Sequence, residues 1–265
     1  MNTNKKRRTS FSKALRSLLL KPNERKDVES FTHILNDKTD FETVETFKSI
    51  RTNLMFSMPK TEEGKVIVVT SSTPGEGKTT TSINLAITFA QTGAKVVLID
   101  CDLRKSRIHR YLNLHKTDGV SNVLCGFTTL ENAVRRNVRE NLDVIPAGEI
   151  PPNPTELIAA AEFEHMIDEL KKQYDYVFID TPPVTVVTDA AVAMRVCTGA
   201  VIVVRQDVTT YDLLDVTMSD IRLTGAKILG LITIGAREKG KGYGYYRHKG
   251  YHYKYNYSYA DKESK

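Results

Sequence analysis

Several features are missing or rare in this chain of 265 residues, and each absence narrows what the protein can be. It has no tryptophan and only three cysteines, Cys101, Cys125 and Cys197, which lie far apart without a CxxC pair. Neither a disulfide framework nor a zinc site is therefore expected, and the histidines also lack metal-ligand spacing. The longest apolar run near the N-terminus, residues 18–20, is too short for a signal peptide or a transmembrane helix. We therefore expect a cytoplasmic protein.

What the sequence does contain is the composition of an ordinary globular protein, with 40% hydrophobic and 26% charged residues. Its length suits one α/β domain with tails. Basic ends on a near-neutral centre favour contact with acidic surfaces of lipid, nucleic acid or protein. The net charge of +6 is concentrated at these ends, on Lys5, Lys6, Arg7, Arg8, Lys13, Arg16, Lys239, Lys241, Arg247, Lys249 and Lys254.

Changes of pattern divide the chain into a basic, flexible segment 1–40, a globular domain 41–236 and a flexible tail 237–265. In the first part, Phe11, Leu15, Leu18 and Leu19 would share one face of a short helix. A basic amphipathic segment of this kind is typical of peripheral contact with an anionic membrane, and a solvated tail is the alternative interpretation.

In the middle part, segments whose apolar residues recur with the period of a helix alternate with short, uniformly apolar runs. Such runs, separated by helices, are typical of a parallel sheet that is covered on both faces. We therefore predict a doubly wound α/β fold with a mostly parallel sheet. The predicted strands are 65–70, 95–99, 142–145, 176–179, 200–204 and 228–234, and the predicted helices include 42–57, 79–90, 119–136, 155–160 and 162–173.

A phosphate-binding loop follows the first predicted strand. Residues 72–79 match the pattern GxxxxGK[ST], except that Ser72 replaces the first glycine. Glycines allow the backbone amides to surround a phosphate, and the helix that follows offers its positive end to the same anion. Lys78 would reach the β- and γ-phosphates, and the Thr79 hydroxyl would ligate Mg²⁺. The residues expected to bind Mg-ATP are Pro74, Gly75, Glu76, Gly77, Lys78, Thr79 and Thr80.

Acidic residues end two further apolar strands. Asp100 and Asp102 follow the strand at 95–99, and Asp180 follows the strand at 176–179. Ligands of open α/β sheets bind outside the carboxyl ends of the strands, so we expect these motifs and the phosphate loop to share one crevice. Carboxylates in that crevice suit Mg²⁺, which predicts Thr79, Asp102 and Asp180 as metal ligands. The candidate catalytic residues are Lys78, Asp100, Asp102 and Asp180.

The succession STPGEGKTT, VVLIDCDLR, YVFIDTPP and a tyrosine-rich tail is similar to the bacterial tyrosine kinases (BY-kinases) of capsule and exopolysaccharide synthesis. The similarity runs from about residue 42 to the C-terminus. It implies a P-loop NTPase fold with a Walker A loop, a Walker A′ motif (Asp100, Asp102) and a Walker B motif (Asp180). These enzymes are unrelated in fold to eukaryotic protein kinases, and no HRD or DFG element is present here. ATP and Mg²⁺ are the implied cofactors, and a protein tyrosine is the implied substrate.

The tyrosine hydroxyl has a pKa near 10, so a carboxylate beside the γ-phosphate would help to accept its proton. Asp100 is the candidate base and Asp102 the carboxylate on the magnesium side, although the sequence is equally consistent with the opposite assignment. Arg104 would orient this loop or stabilise phosphate charge, and an exposed ion pair is an equal alternative.

The resemblance also implies partners. In the split, Firmicute-type arrangement, the kinase is a separate chain, and a membrane-spanning modulator of the polysaccharide co-polymerase type recruits it to the inner face of the plasma membrane and stimulates it. Further implied partners are other copies of the kinase and a tyrosine phosphatase, and no specific nucleic acid is expected. Family members pack into a ring through an ExxRxxR helix, which corresponds here to Glu45, Lys48 and Arg51. Lys48 cannot make the bidentate contacts of the arginine that it replaces, and a solvated charge pattern is the alternative.

Most of the tyrosines lie in the C-terminal tail. An edge strand with one aromatic face and a stacking surface for single-stranded nucleic acid are two possible interpretations. We favour a third, a flexible phosphoacceptor cluster, because it agrees with the nucleotide site; each phosphate would add about −1.5 to −2 charges to a basic segment. The predicted acceptors are Tyr243, Tyr245, Tyr246, Tyr251, Tyr253, Tyr255, Tyr257 and Tyr259.

The predicted function is ATP-dependent protein-tyrosine phosphorylation, including autophosphorylation of the tail, in the regulation of capsule or exopolysaccharide synthesis and export. The main alternative is a regulatory ATPase of the plasmid-partition or division-site type, which binds membrane or DNA. Those proteins begin the loop with a signature lysine, whereas this chain has Thr73 there. A nucleic-acid-binding protein without enzymatic activity would leave the Lys78 and Asp100 motifs unexplained.

Overall fold

The structure is a computed structural model that describes residues 33–60 and 62–235. The predicted amphipathic segment near the N-terminus and the predicted acceptor tyrosines lie outside the described residues. The domain boundaries at residues 40 and 236 stay predictions. Within the described ranges, no helix combines the length and the apolar character that crossing a membrane requires.

A seven-stranded sheet forms the centre of the molecule, in the order β3-β4-β2-β5-β1-β6-β7. All neighbouring strands run parallel except β3, which pairs antiparallel with β4 at one edge. The strands are β1 (Lys65–Ser71), β2 (Val96–Asp100), β3 (Arg135–Arg139), β4 (Leu142–Ile145), β5 (Tyr176–Asp180), β6 (Gly199–Arg205) and β7 (Ile228–Ile234).

Helices cover both faces of the sheet. In chain order they are α1 (Phe41–Ser57), α2 (Lys78–Ala90), α3 (Ile108–Tyr111), α4 (Val120–Leu124), α5 (Leu130–Ala133), α6 (Pro154–Ala159), α7 (Ala161–Gln173), α8 (Asp189–Ala193) and α9 (Tyr211–Leu223), with a 3₁₀ turn at Met194–Val196.

Alternating side chains of each central strand enter two separate hydrophobic layers. Val66 and Val68 of β1 belong to the layer that contains α7 and α9. Ile67 and Val69 belong to the opposite layer, with α1 and α2. Because both faces of β1 are buried, its sequence is continuously apolar rather than alternating. The predicted doubly wound, mostly parallel α/β fold is confirmed, and the six predicted strands are found with ends displaced by at most one residue.

The prediction of one helix over residues 119–136 was wrong. The structure has two short helices there, α4 and α5, and the edge strand β3 begins at Arg135. Gly126 has a φ of 73° after the first helix, and Thr129 caps the second by accepting from Asn132 N at 3.3 Å. The arginine-rich sequence of β3 gave no apolar signal, because an edge strand keeps much of its surface in solvent.

Helix α1 packs on α2, the helix that follows the phosphate loop. Phe47 and Leu54 of α1 are buried, and Arg51 Nη1 donates to the Thr88 carbonyl of α2 at 2.8 Å. The chain before α1 is held by Asn84 of α2, whose side chain bonds the carbonyl of residue 33 at 2.8 Å and the amide of residue 35 at 2.9 Å. This packing places the first described residues beside the helix that begins at Lys78.

Candidate nucleotide site

The loop between β1 and α2 adopts a conformation that depends on two glycines. Gly75 has a φ of 88° and Gly77 a φ of 91°, in the left-handed region that side chains with a Cβ atom rarely adopt. Gly77 is also the N-cap of α2, and its lack of a side chain leaves the first amides of that helix accessible. This backbone matches the one expected of a phosphate-binding loop.

Side chains from distant segments hold the loop from behind. The fully buried Glu76 accepts from the Thr73 amide at 2.8 Å and from the Thr209 hydroxyl. Arg205, at the end of β6, donates from Nη1 to the Gly75 carbonyl at 3.1 Å. Glu76 is among the residues predicted to bind the nucleotide, and this role stays a prediction; its side chain is buried and does not line the cavity described below.

Ser72 occupies the position of the missing first glycine without disturbing the loop. It is fully buried, and its hydroxyl lies 2.8 Å from that of Thr217 in α9. Its carbonyl accepts from the Thr185 hydroxyl at 2.5 Å. The serine side chain therefore points into the fold and serves as an anchor, a role that the motif alone did not reveal.

Lys78 is surrounded by the three strand-end carboxylates. Its ammonium lies 3.0 Å from Asp102 Oδ2, and both side chains are about 10% exposed. Burial alone would lower the pKa of Lys78, but the nearby charges of Asp180, Asp102 and Asp100 outweigh it and raise that pKa. The structure thus brings the predicted catalytic residues into one cluster, as the order of the strands required.

Asp180 offers a buried oxygen that has no partner. Its Oδ1 accepts from the Ser82 hydroxyl at 2.9 Å, whereas its Oδ2 has no hydrogen-bond partner. Burial raises the pKa of Asp180, and the charge of Lys78 opposes that shift. The unpaired oxygen and the nearby Thr79 hydroxyl form an all-oxygen set that fits Mg²⁺. Among the described residues, no group of three or more His, Cys, Asp or Glu side chains could hold a metal ion by itself. Oxygens of phosphate or water would therefore have to complete the coordination of an ion held by Asp180 and Thr79.

The two aspartates of the Walker A′ motif have different surroundings. Asp100 is fully buried, and its oxygens accept from the amides of Asp102 at 3.3 Å and Ile108 at 3.1 Å. Burial, together with the charges of Asp180 and Asp102, raises the pKa of Asp100 to about 8. Asp102 faces the cavity, where it binds Lys78 and accepts from the Lys105 amide at 2.9 Å. Only the second of the two carboxylates therefore meets the space in which a substrate could lie.

A cavity of about 430 Å³ opens along the carboxyl ends of the strands. The phosphate loop lies in its middle, Asp102 and Arg104 lie beyond β2 on one side, and Arg205 and Ile234 lie at β6 and β7 on the other. The lining combines polar and apolar groups from His33, Thr43, Phe47, Pro74, Gly75, Gly77, Lys78, Thr79, Thr80, Thr81, Asn84, Asp102, Arg104, Lys105, Arg107, Tyr111, Pro182, Pro183, Val186, Val187, Arg205 and Ile234. A wall of this kind can hold a ligand that has a charged end and an apolar body.

Arg104 forms an ion pair, one of the two alternatives considered from the sequence, but with a partner that the sequence did not reveal. Its Nε and Nη2 donate to the two oxygens of Asp189 at 2.9 and 3.1 Å, and Nη2 also contacts the Thr155 hydroxyl at 2.9 Å. Asp189 is fully buried at the start of α8. No local pattern could have identified this pair, because Asp189 lies 85 positions further along the chain.

The residues predicted to form a ring contact lie on α1, away from the carboxylate cluster. Lys48 Nζ lies 2.7 Å from Glu45 Oε1, and both side chains are 44% exposed. Arg51, in contrast, is already bonded within the chain to Thr88. The ring contact stays a prediction that rests on the exposed pair.

Known proteins resemble this chain in sequence and in structure. The protein family described as AAA domain matches residues 64–227. Tyrosine-protein kinase YwqD of Bacillus subtilis (strain 168) is 38% identical over 193 residues, which is 73% of this chain and 81% of YwqD. The crystal structure of the chimerical protein CapA2B2 has a TM-score of 0.71 at 36% identity and covers 77% of this chain and 89% of its own. The kinase domain of the Escherichia coli tyrosine kinase ETK has a TM-score of 0.70 at 33% identity. This match covers 77% of the present chain and 80% of the ETK chain. With its P-loop, its converging carboxylates and these relatives, the chain belongs to the bacterial tyrosine kinases of capsule and exopolysaccharide synthesis.

Proposed function

We propose that this kinase transfers the γ-phosphoryl group of Mg-ATP to tyrosine hydroxyls, including those of its own C-terminal tail. The observation that carries the proposal is the meeting of Lys78, Asp102 and Asp180 at one phosphate loop. In the transfer, the tyrosine oxygen forms a bond to the γ-phosphorus while the bond to the β–γ bridging oxygen breaks and ADP leaves. The hydroxyl proton passes to a carboxylate of the enzyme.

The residues around the loop support specific roles in binding ATP. The amides that follow Gly75 and Gly77 would hold the β-phosphate, and Lys78 would neutralise the β- and γ-phosphates. Thr79 and the unpaired Oδ2 of Asp180 would hold Mg²⁺. When bound, Mg²⁺ neutralises charge on the β- and γ-oxygens as the transferred group separates.

We assign proton acceptance to Asp102 rather than to Asp100, the base first considered, and leave the magnesium site to Thr79 and Asp180. Asp102 lines the cavity, whereas Asp100 is fully buried with both oxygens bonded to backbone amides. Burial also raises the pKa of Asp100, but the geometry decides the assignment, because a carboxyl enclosed in this way cannot meet a tyrosine hydroxyl in the cavity. Asp100 would instead hold the turn that presents Asp102.

The course of the chain supports the tail as a substrate. Strand β7 ends at Ile234, which itself lines the cavity, and the predicted acceptors begin at Tyr243. Nine residues can span at most about 30 Å, enough to return to the cavity that Ile234 lines. Phosphates on Tyr243 and the later tyrosines would reverse the charge of a basic segment, and such a reversal could release an acidic partner.

The wider assembly is proposed from the family. A membrane-spanning modulator would recruit this chain to the inner face of the membrane and stimulate it, a phosphatase would remove the phosphates, and the cycle would control polysaccharide synthesis and export. The exposed Glu45–Lys48 pair on α1 supports a contact with another copy of the kinase.

The test is incubation of the purified chain with Mg-ATP, with and without the cytoplasmic part of a modulator, followed by mass spectrometry of the tail. We expect phosphotyrosine between residues 243 and 259 in the wild type and none in Lys78→Met. Hydrolysis of ATP without any tyrosine phosphorylation, even with the modulator, would contradict the proposal and favour a regulatory ATPase.

A further inference from the structure

The loop that carries Asp102 is fixed to the body of the protein through an ion pair between Arg104 and Asp189, a residue outside the predicted motifs. The guanidinium of Arg104 meets both oxygens of Asp189 side by side, at 2.9 and 3.1 Å. The Thr155 hydroxyl completes the contact, at 2.9 Å from Arg104 Nη2 and 2.5 Å from Asp189 Oδ1. Three separate segments thus meet: the turn after β2, the start of α6 and the start of α8.

The energetics of this pair favour a fixed orientation. Asp189 is fully buried, whereas the Arg104 side chain is 40% exposed. A buried carboxylate is costly unless a cation and hydrogen bonds compensate it, and the planar arginine provides both in one geometry. Because Asp189 cannot turn to solvent, it determines where Arg104 lies.

Arg104 in turn restrains the backbone that carries Asp102, in addition to the direct contacts of Asp102 with Lys78 and the Lys105 amide. Only one residue separates Arg104 from Asp102, Leu103, which is buried. The turn is also fixed at its ends, since the Cys101 amide donates to the Asp180 carbonyl at 2.8 Å and the Ile108 amide to Asp100. Between these ends, Arg104 connects the turn through its side chain to α6 and α8.

We propose that Asp189 is a positioning residue for phosphoryl transfer, which acts through Arg104 to hold Asp102 at the cavity. This proposal rests on the proposed function of Asp102. Neither Asp189 nor Thr155 lines the cavity, so neither touches the substrate. The hydrogen bonds of the Asp189 side chain go to Arg104 and Thr155, whereas Glu76 and Arg205 hold the phosphate loop by other bonds. Loss of Asp189 should therefore affect the transfer step and leave nucleotide binding nearly unchanged.

The test compares Asp189→Asn with Asp143→Asn, a matched control on β4, the second strand from one edge of the sheet. Asp143 is also a buried carboxylate paired with an arginine, at 3.3 Å from Arg136 Nη1 and 2.6 Å from the Tyr174 hydroxyl. We expect kcat for tyrosine phosphorylation to fall about tenfold to a hundredfold in Asp189→Asn, because small displacements of a reacting group have effects of that size. The Kd for an ATP analogue should change less than about threefold, and Asp143→Asn should leave both values near wild type.

A second measurement does not depend on kinase activity. Amide hydrogen exchange over residues 101–107 should become at least about tenfold faster in Asp189→Asn and stay unchanged in Asp143→Asn. In an Asp102→Asn background, Asp189→Asn should cause almost no further loss of kcat, because both changes remove the same contribution.

Unchanged exchange over 101–107, or full loss of kcat on top of Asp102→Asn, would overturn the positioning role. If the wild type phosphorylates no tyrosine, the proposed function fails, and the exchange experiment alone still decides whether Asp189 holds the loop.

Discussion

The ammonium of Lys78 lies 3.0 Å from Asp102 Oδ2, so the lysine of the phosphate loop forms an ion pair with the Walker A′ motif. With Asp100 and Asp180 nearby, this single cation faces three buried carboxylates. Lys78 therefore stabilises the cluster as well as offering a positive charge to phosphate. The arrangement leads to predictions about folding as well as about activity.

Replacement of Lys78 by methionine should destabilise the fold, because it leaves buried carboxylates without their cation. Removing one partner of a buried pair typically costs about 3–5 kcal/mol. Urea unfolding monitored by circular dichroism measures the effect, and addition of Asp102→Asn to the same chain should recover part of the loss. Equal stability of wild type and Lys78→Met would contradict the buried cluster. The measurement also establishes whether Lys78→Met is folded when it serves as the inactive control.

The two Walker A′ aspartates should respond differently to amide substitution. General base catalysis contributes typically 10²–10⁴-fold, so Asp102→Asn should lower kcat for tyrosine phosphorylation by at least about a hundredfold. Asp100→Asn should lower it less than about tenfold, since Asp100 does not line the cavity and asparagine can still accept from one backbone amide. Initial rates with a tyrosine peptide measure both effects. A larger loss in Asp100→Asn would return the role of base to Asp100.

Glu76 should control nucleotide affinity although it lies beneath the loop. Glu76→Ala leaves the Thr73 amide without its acceptor, at a cost of about 1–3 kcal/mol for a buried polar group. We expect the Kd for an ATP analogue to rise by roughly tenfold, as measured by isothermal titration calorimetry. In Glu76→Gln the amide can accept from Thr73 and donate to Thr209, so its Kd should stay within about threefold of wild type. Equal affinities of Glu76→Ala and wild type would exclude this supporting role.

The cysteines should react with iodoacetamide in the order of their exposure. Cys125 is exposed, Cys101 is buried, and burial raises the pKa of Cys197 to about 12. At pH 8 only about one Cys197 in ten thousand would be a thiolate, the reactive form. Because its pKa lies above the range tested, alkylation of Cys197 should rise about tenfold for each pH unit from 7 to 9.

Burial, together with the neighbouring carboxylates, also raises the pKa of Cys101. Mass spectrometry of the alkylated peptides measures all three sites, and denaturant should make their rates similar. Rapid native alkylation of Cys101 would contradict the packing beneath the Walker A′ turn.

Much of the candidate site could be predicted from local sequence. Gly75, Gly77 and Lys78 form a contiguous motif, and Asp102 and Asp180 directly follow apolar strands. Parallel strands place their carboxyl ends at one edge of the sheet, so the convergence of these residues required no knowledge of distant contacts. Which of Asp100 and Asp102 faces the cavity could not be predicted, because that depends on which of the two is enclosed by distant segments.

The supporting contacts were hidden because they join positions far apart in the chain. Thr209 lies 133 positions from Glu76, and Thr217 lies 145 positions from Ser72. A lone threonine or aspartate in a loop has no periodicity and no motif to distinguish it from a turn former or a helix cap. Strand β3 was missed for a related reason, since its pairing with β4 is satisfied at an exposed edge with few apolar side chains.

By itself, the sequence determined the doubly wound fold, the phosphate loop and the set of acidic residues around it. These features follow from the period of apolar residues and from the conformational freedom of glycine, which act over a few residues at a time. Only the tertiary structure decided that Asp102 faces the cavity while Asp100 does not, and that Asp189 holds Arg104. Burial and ion pairing depend on which distant segments pack together, and that packing is a property of the whole folded chain.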